Sequence, residues 1–193
     1  MQLVMVKESL LALPPVVLPE GYQLRHFRAG DEAGWERVMA QSFGEKDPPW
    51  SFGDTMGRDA ACAPERVLFV ACGDVPVATA SAWYRPEWGP DTGYVHFVGT
   101  SPEHGGKKLG YWVSLAVLHR FVFEGRTRAV LQTDDHRVPA LKTYLQLGFE
   151  PWPVEEDQRN RWRHAIEANG FGPLCPNLER IVNGPVHSLP TPG

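Results

Sequence analysis

"VLQTDDHRVPALKTYLQLGFEP" (residues 130–151) holds the end of one structural element, the whole of a second and the start of a third. Its first residues belong to "RAVLQTD" (128–134), a short apolar run closed by polar residues, which reads as a buried strand. "RVPALKTYLQLG" (137–148) reads as a helix. Pro139 falls in its first turn, where a missing N–H costs nothing, and Gly148 ends it. "FEPW" (149–152) begins a further strand.

Upstream stands "TSPEHGGKKLG" (100–110), fed by a strand over 92–101 and followed by a helix over 111–125. Leu109, Val113, Ala116 and Val117 keep i, i+4, i+7, i+8 spacing, and Gly125 serves as the stop. The start of a helix presents free N–H groups and partial positive charge. Gly105 and Gly106 let the backbone approach a ligand, and Lys107 and Lys108 add charge. Together these favour a phosphate or pyrophosphate. The plainer reading is a basic, flexible turn, and on the loop alone the two stand level. The pattern is neither GxxxxGK[ST] nor GxGxxG.

The remaining elements fit around these. "GYQLRHFR" (21–28) alternates as a strand does, and a helix follows over 29–43 with Asp31 as N-cap. Trp35, Val38, Met39 and Phe43 share one face of it. Residues 44–65 read as a loop with a short helix, lying over a site. Strands over 66–72 and 75–85 join through a "GD" turn. A polar helix is expected over 155–169 and an irregular tail over 170–193. Consecutive strands flanked by helices imply a mixed sheet covered by helices.

The 193 residues suit a single domain, with its core at about 21–152 and a C-terminal helix and tail over 153–193. A net charge of −4 argues against non-specific nucleic-acid binding. Cys62, Cys72 and Cys175 form no CxxC pair, and the seven histidines show no metal-ligand spacing, so no metal is expected. "MQLVMVKESLLALPP" is apolar in flavour but interrupted at Lys7 and Glu8, too short for a membrane span and without a basic leader. A cytoplasmic location, with no membrane partner, is the expectation.

These segments resemble the Gcn5-related N-acetyltransferase (GNAT) superfamily. That family places V-x-P-E and then Gln/Arg-x-x-Gly-x-Gly/Ala between its fourth strand and third helix, where "TSPEHGGKKLG" stands here. Gly105 takes the Arg/Gln position, Lys108 the first Gly position and Gly110 the last. Two of three signature positions therefore differ. Lys108 needs φ < 0 there, or some strain. The family also carries A-x-x-x-Y-x-x-x-G-F, matched by Ala140, Tyr144, Gly148 and Phe149. The resemblance implies an α/β (α+β) fold: a mixed, mostly antiparallel sheet with two splayed parallel strands and helices on both faces.

It also implies direct transfer of an acetyl group from acetyl-CoA to an amine. Tyr144 stands at the family's general-acid position; it reads equally as a helix aromatic packed in the core. The family often has Glu or His on the strand before the loop, which makes His96 the candidate base. The other reading is a half-buried strand histidine. Alternation puts Tyr94, His96, Val98 and Thr100 on one face and Val95 and Phe97 on the other. Gly99 marks a bulge of the kind the family uses, leaving the backbone of Phe97 to Thr100 to meet the pantetheine. The loop from Gly105 through Gly106, Lys107, Lys108 and Leu109 to Gly110 is the expected pyrophosphate cradle. Arg137 reaches a CoA phosphate or pairs with Asp134 or Asp135.

The acceptor is expected to be a small-molecule or amino-acid-like primary amine. A protein or peptide amine, and a catalytically silent CoA-binding domain, stay open as alternatives. A monomer or homodimer fits either.

Overall fold

The computed structural model describes residues 1–189; the last residues of the expected irregular tail, 190–193, lie outside the described residues. Seven strands form one sheet: β1 (Leu3–Lys7), β2 (Tyr22–His26), β3 (Val67–Cys72), β4 (Val75–Trp83), β5 (Thr92–Thr100), β6 (Arg128–Thr133) and β7 (Glu150–Pro151). Their order across the sheet is β2-β3-β4-β5-β6-β1-β7. All neighbours are antiparallel except β5 and β6. The sheet is thus mixed and mostly antiparallel, with helices on both faces.

β1 is the element the sequence reading left out of the core. It lies inside the sheet, bonded to β6 on one side and to β7 on the other. Its "LVMV" run is apolar at every position because both faces are covered. Leu3 and Met5 join one hydrophobic cluster, Val4 and Val6 the other, and all four are buried. Such a run lacks the polar alternation that marks a half-exposed strand.

α1 (Glu32–Phe43) covers one face, where Trp35, Val38 and Met39 pack with Val67, Phe69 and Trp83. The other face carries α2 (Leu109–Phe123), α3 (Val138–Gln146) and α4 (Glu156–Glu167). α2 lies over Ala78, Ala80 and Ala82, small side chains that let the helix come close. Gly93 completes that fit, since a Cβ there would stand 2.4 Å from the Phe121 ring.

Two local expectations are corrected. Asp31 precedes α1 but makes no side-chain cap bond. Its carboxylate instead accepts from Arg25 at 2.6 and 2.8 Å and from the Arg28 N–H at 2.7 Å, joining β2 to α1. A charged, two-bond partner outcompetes a neutral amide for the same oxygens. The tail is also more ordered than its Gly and Pro content implies. α5 (Leu178–Val182) buries Leu178 and Val182, with Phe171 and Cys175, against the α2–α4 face.

Inclusion of β1 in the core has a measurable consequence. Met5→Ala should cost about 2–5 kcal/mol in urea unfolding, as Leu131→Ala in β6 should. Leu11→Ala, at a position 86% exposed, should stay within about 0.5 kcal/mol. A small effect at Met5 would show that β1 is a dispensable edge.

Candidate active site

The site begins where β5 leaves β6. Only Thr92, Gly93 and Tyr94 pair with Arg128, Ala129 and Val130; beyond them the two strands diverge. The cause lies in β5. Against β4 its register shifts, so that Thr79 faces Gly99 but Ser81 faces His96. The extra residue makes a bulge, and Phe97 there has a φ of +47°.

The bulge is therefore at Phe97, not at Gly99. Gly99 is small for another reason: a Cβ would stand 2.7 Å from Met39 Cε and 2.8 Å from Ser42 Oγ of α1. The extra residue also reverses the expected alternation. Phe97 joins Tyr94 and His96 on the α1 side, its ring 5.5 Å from that of Trp35 and 3.9 Å from that of His96. Val98 packs with Val95 on the opposite side.

The divergence opens into a groove of about 550 Å³. β5 lines it with Val98, Gly99 and Thr100. The loop and the start of α2 add Gly105, Gly106, Lys108, Leu109 and Gly110, and α3 adds Arg137 and Tyr144. Lys107 is exposed and outside the lining. Ser42, which sequence reasoning missed, also lines the groove. Its hydroxyl accepts from the Thr100 N–H at 2.8 Å and donates to the Thr100 carbonyl at 3.1 Å. Thr100 thus has both backbone groups engaged by α1, which leaves Val98 as the β5 residue whose backbone faces the gap without that partner. Its bonds to Thr100 and the tight approach at Gly99, which connect Ser42 to the site, are invisible in the sequence.

The loop opens with a short helical turn over Pro102–His104. After Gly105 N–H, which bonds the Pro102 carbonyl at 3.0 Å, the N–H groups from Gly106 to Tyr111 donate to no protein acceptor among the described residues. They form a run of donors at the positive end of a long helix. His104 is tied to β2: Tyr22 Oη and His104 Nδ1 are 2.9 Å apart. Lys108, at the N-cap, is left-handed with φ 56° and ψ 28°. The chain keeps the glycine-like backbone of this position while carrying a lysine.

A smaller pocket of about 230 Å³ adjoins the groove. Tyr94, His96 and Phe97 line it from β5, and Gln132 and Asp134 from β6 and its end. Val98, Arg137 and Tyr144 line both spaces. They mark the junction. Tyr144 is buried there, and loss of hydration pushes its phenol up to about 12, with the Arg137 charge pulling the other way. Burial brings His96 down to about 4, helped by Arg85 and opposed by Asp59. Both groups are neutral at pH 7.

Arg137 pairs with neither neighbouring acid. Asp135 holds Arg161 at 2.9 Å, and Asp134 accepts from the Gln2 amide at 3.2 Å. The Arg137 guanidinium instead stacks 3.8 Å from the Phe43 ring centroid. Two of the four acids of the 44–59 loop are occupied locally as well. Asp54 pairs with Arg58, and Asp59 accepts from Trp83 Nε1 at 3.1 Å. No group of three or more His, Cys, Asp or Glu side chains able to hold a metal occurs among the described residues. No helix among them is long and apolar enough to cross a membrane.

A family model described as the acetyltransferase (GNAT) family matches residues 34–149. The mycothiol acetyltransferase of Kytococcus sedentarius is 31% identical over 152 residues, 74% of this chain and 50% of its own length. That of Thermomonospora curvata is 31% identical over 148 residues, 74% of this chain and 49% of its own length. The chain spans about half the length of the curated relatives it matches. Among solved structures, a GCN5-related N-acetyltransferase from Sphaerobacter thermophilus has a TM-score of 0.60 at 22% identity, covering 77% of this chain and 47% of that one. That likeness is one of fold.

Two outcomes follow from the backbone and the half-buried imidazole. Lys108→Gly should raise stability by about 0.5–1 kcal/mol, because relief of left-handed strain (about 1–2) exceeds the added entropy of glycine (about 0.5–1). A loss would show that the lysine side chain anchors the loop. His96, lowered in the folded state, takes up protons more readily when unfolded. Its contribution is intact above pH 6.5 and is lost as pH falls toward 4. Chemical denaturation should therefore show wild type losing more stability than His96→Gln across that window, by about 3 kcal/mol at most.

Proposed function

Since the chain belongs to the acetyltransferase (GNAT) family, we propose that it transfers the acetyl group of acetyl-CoA directly to the primary amine of a small molecule. The observation that carries this reading is the junction. A long groove with a row of free N–H donors at one end meets a smaller pocket at the other, and Tyr144 lines both.

The groove suits the cosubstrate. Its volume lies in the range of small-ligand sites. The N–H groups from Gly106 to Tyr111, with Lys108, would hold the pyrophosphate, and His104 adds a polar side chain beside them. Gly105 and Gly110 keep the walls close: a Cβ at either would meet Pro102 O at 3.1 Å or Thr100 Oγ1 at 3.3 Å. Val98 presents its backbone where β6 has departed. Acetyl-CoA supplies a thioester carbon that an amine attacks, with a thiol as leaving group.

The chain's own groups then handle protons. Tyr144 stays protonated and donates to the departing sulfur. A phenol at about 12 is a weaker acid than a thiol in water, near 8.5. The burial that raises the phenol also raises the thiol in the same space, so much of that gap closes. His96 is too weak a base to strip a free ammonium. It serves as the acceptor for the proton that the nitrogen sheds once its bond to carbon forms.

The names of the curated relatives refer to mycothiol. That, and a pocket of only about 230 Å³, favour a small acceptor over a protein. Thiol release should be followed against a panel of small amines and one N-terminal peptide, after calorimetric titration with acetyl-CoA. The expected result is cofactor binding with turnover of small amines. Binding without turnover would establish a silent CoA-binding domain, and peptide turnover alone the protein acceptor. Tyr144→Phe should lower kcat by about 100-fold or more, with the KM for acetyl-CoA little changed. An unchanged kcat would remove Tyr144 from the chemistry.

A further inference from the structure

Arg137 is the charge that the reading above leaves without a task. It does not serve the fold through an ion pair, because Arg161 and Gln2 hold the two acids beside it. No protein acceptor takes its guanidinium N–H groups among the described residues, whereas Arg25, Arg66, Arg120, Arg128, Arg159 and Arg161 each hold a carboxylate. The group is nonetheless placed. Its Cζ lies over Phe43, 3.8 Å from the ring centroid, at the end of α1. Phe43 is backed in turn by Trp50, with ring centroids 5.8 Å apart. Stacking fixes the plane of a guanidinium while leaving its N–H edges free.

Position decides what those edges meet. The donors for a pyrophosphate lie at the loop end, where Gly105, Gly106 and Lys108 line the groove alone. Arg137 lines both spaces, beside Tyr144 and Val98. It stands at the junction of the two spaces, whereas the loop residues line only the groove. Asp134, the one acid lining the smaller pocket among the described residues, is already engaged by Gln2.

We propose that Arg137 is a specificity-determining residue that binds a carboxylate carried by one of the two reactants, close to the atoms that react. The carboxylate belongs either to the acceptor, which is then an amino acid, or to the far end of the acyl chain. A planar, forked cation recognises it through two parallel hydrogen bonds. The inference rests on the acyltransferase reading, and it adds a charge requirement which that reading lacks.

The test uses matched pairs. In the acceptor arm, amino acids are compared with their carboxamides, with acetyl-CoA as donor and rates referred to the neutral amine. In the donor arm, succinyl-CoA is compared with butyryl-CoA. In one arm, wild type should prefer the carboxylate by about 10- to 100-fold in kcat/KM, the range of a hydrogen bond to a charged group. The arm that responds identifies the source. Arg137→Gln should reduce the preference to near unity, Arg137→Lys should keep part of it, and Phe43→Leu should weaken it by unseating the guanidinium. The ratio is the readout, so a general loss of rate or fold does not imitate the effect. Equal rates within both arms, or no turnover in either while acetyl-CoA binds, would overturn the carboxylate assignment and leave the cofactor reading standing. Absence of any acetyl-CoA binding would overturn both.

Discussion

The divergence of β5 from β6 after Tyr94 is the constraint on which the site depends. Two parallel strands would normally continue their ladder, and nothing would fit between them. A single extra residue at Phe97 ends that ladder, and it carries a cost. A left-handed aromatic residue is strained by about 1–2 kcal/mol. The strain persists because α1 and the loop after it hold it in place. Trp35 and Trp50 pack edge-on to the Phe97 ring, Ser42 ties down both backbone groups of Thr100, and Met39 fills the space that a side chain at Gly99 would take. The helix that covers one face of the sheet thereby shapes a gap used from the other face.

A gap in the middle of a sheet weakens it, and the flanks compensate. β1 sits beyond β6 and feeds alternate residues to both cores, so the far side of the gap is anchored on its two faces. The near end of the β5–β6 pairing has a second anchor. Glu124, at the end of α2, gathers Arg66 at 2.8 Å, Arg120 at 2.7 Å and Arg126 at 3.6 Å. Those bonds keep its carboxyl below the usual range despite the penalty of burial. The strands are thus held together at one end and held apart at the other.

Most of this frame was legible in the sequence because it rests on local signals. The helix over 137–148, with Pro139 early and Gly148 at its end, needed only residue chemistry at fixed offsets. The loop before α2 was legible through the family resemblance, which put Lys108 at a glycine position and left φ < 0 or strain open there; Lys108 proved left-handed. What escaped depends on partners far along the chain. β1 reads as an ordinary apolar run until β6 and β7, more than 120 residues away, are seen to flank it. The bulge was assigned to the residue that looks permissive, Gly99, when the packing of α1 places it at Phe97. That shift of two positions exchanges the faces of Phe97 and Val98, which no count of alternating residues could show. For Arg137 the sequence offered a CoA phosphate, Asp134 and Asp135; the structure gives the two acids to Gln2 and Arg161 and places the guanidinium where the groove meets the smaller pocket, which no sequence offset could show.

The electrostatics of the junction follow from the same geometry. The rings of Trp83, Tyr94 and Phe97 crowd His96, and loss of hydration pushes its pKa down to about 4, while burial of Tyr144 pushes its phenol up to about 12. Opposite shifts have one cause, the cost of keeping any charge there, and they leave both groups neutral across the physiological range. An ammonium entering the pocket meets that same cost and faces the Arg137 cation as well. In the proposed reaction a neutral amine would meet neither, so the site would favour the protonation state that can attack and leave the cost of deprotonation in solution. In the proposed reaction a carboxylate on a reactant would change the sign of the Arg137 interaction, and the charge that repels an ammonium would then hold the molecule bearing the amine or the acyl group. In the proposed reaction, discrimination by protonation state would rest on the cost of burying charge together with Arg137, and discrimination by substrate on Arg137, whose guanidinium pairs with no acid among the described residues.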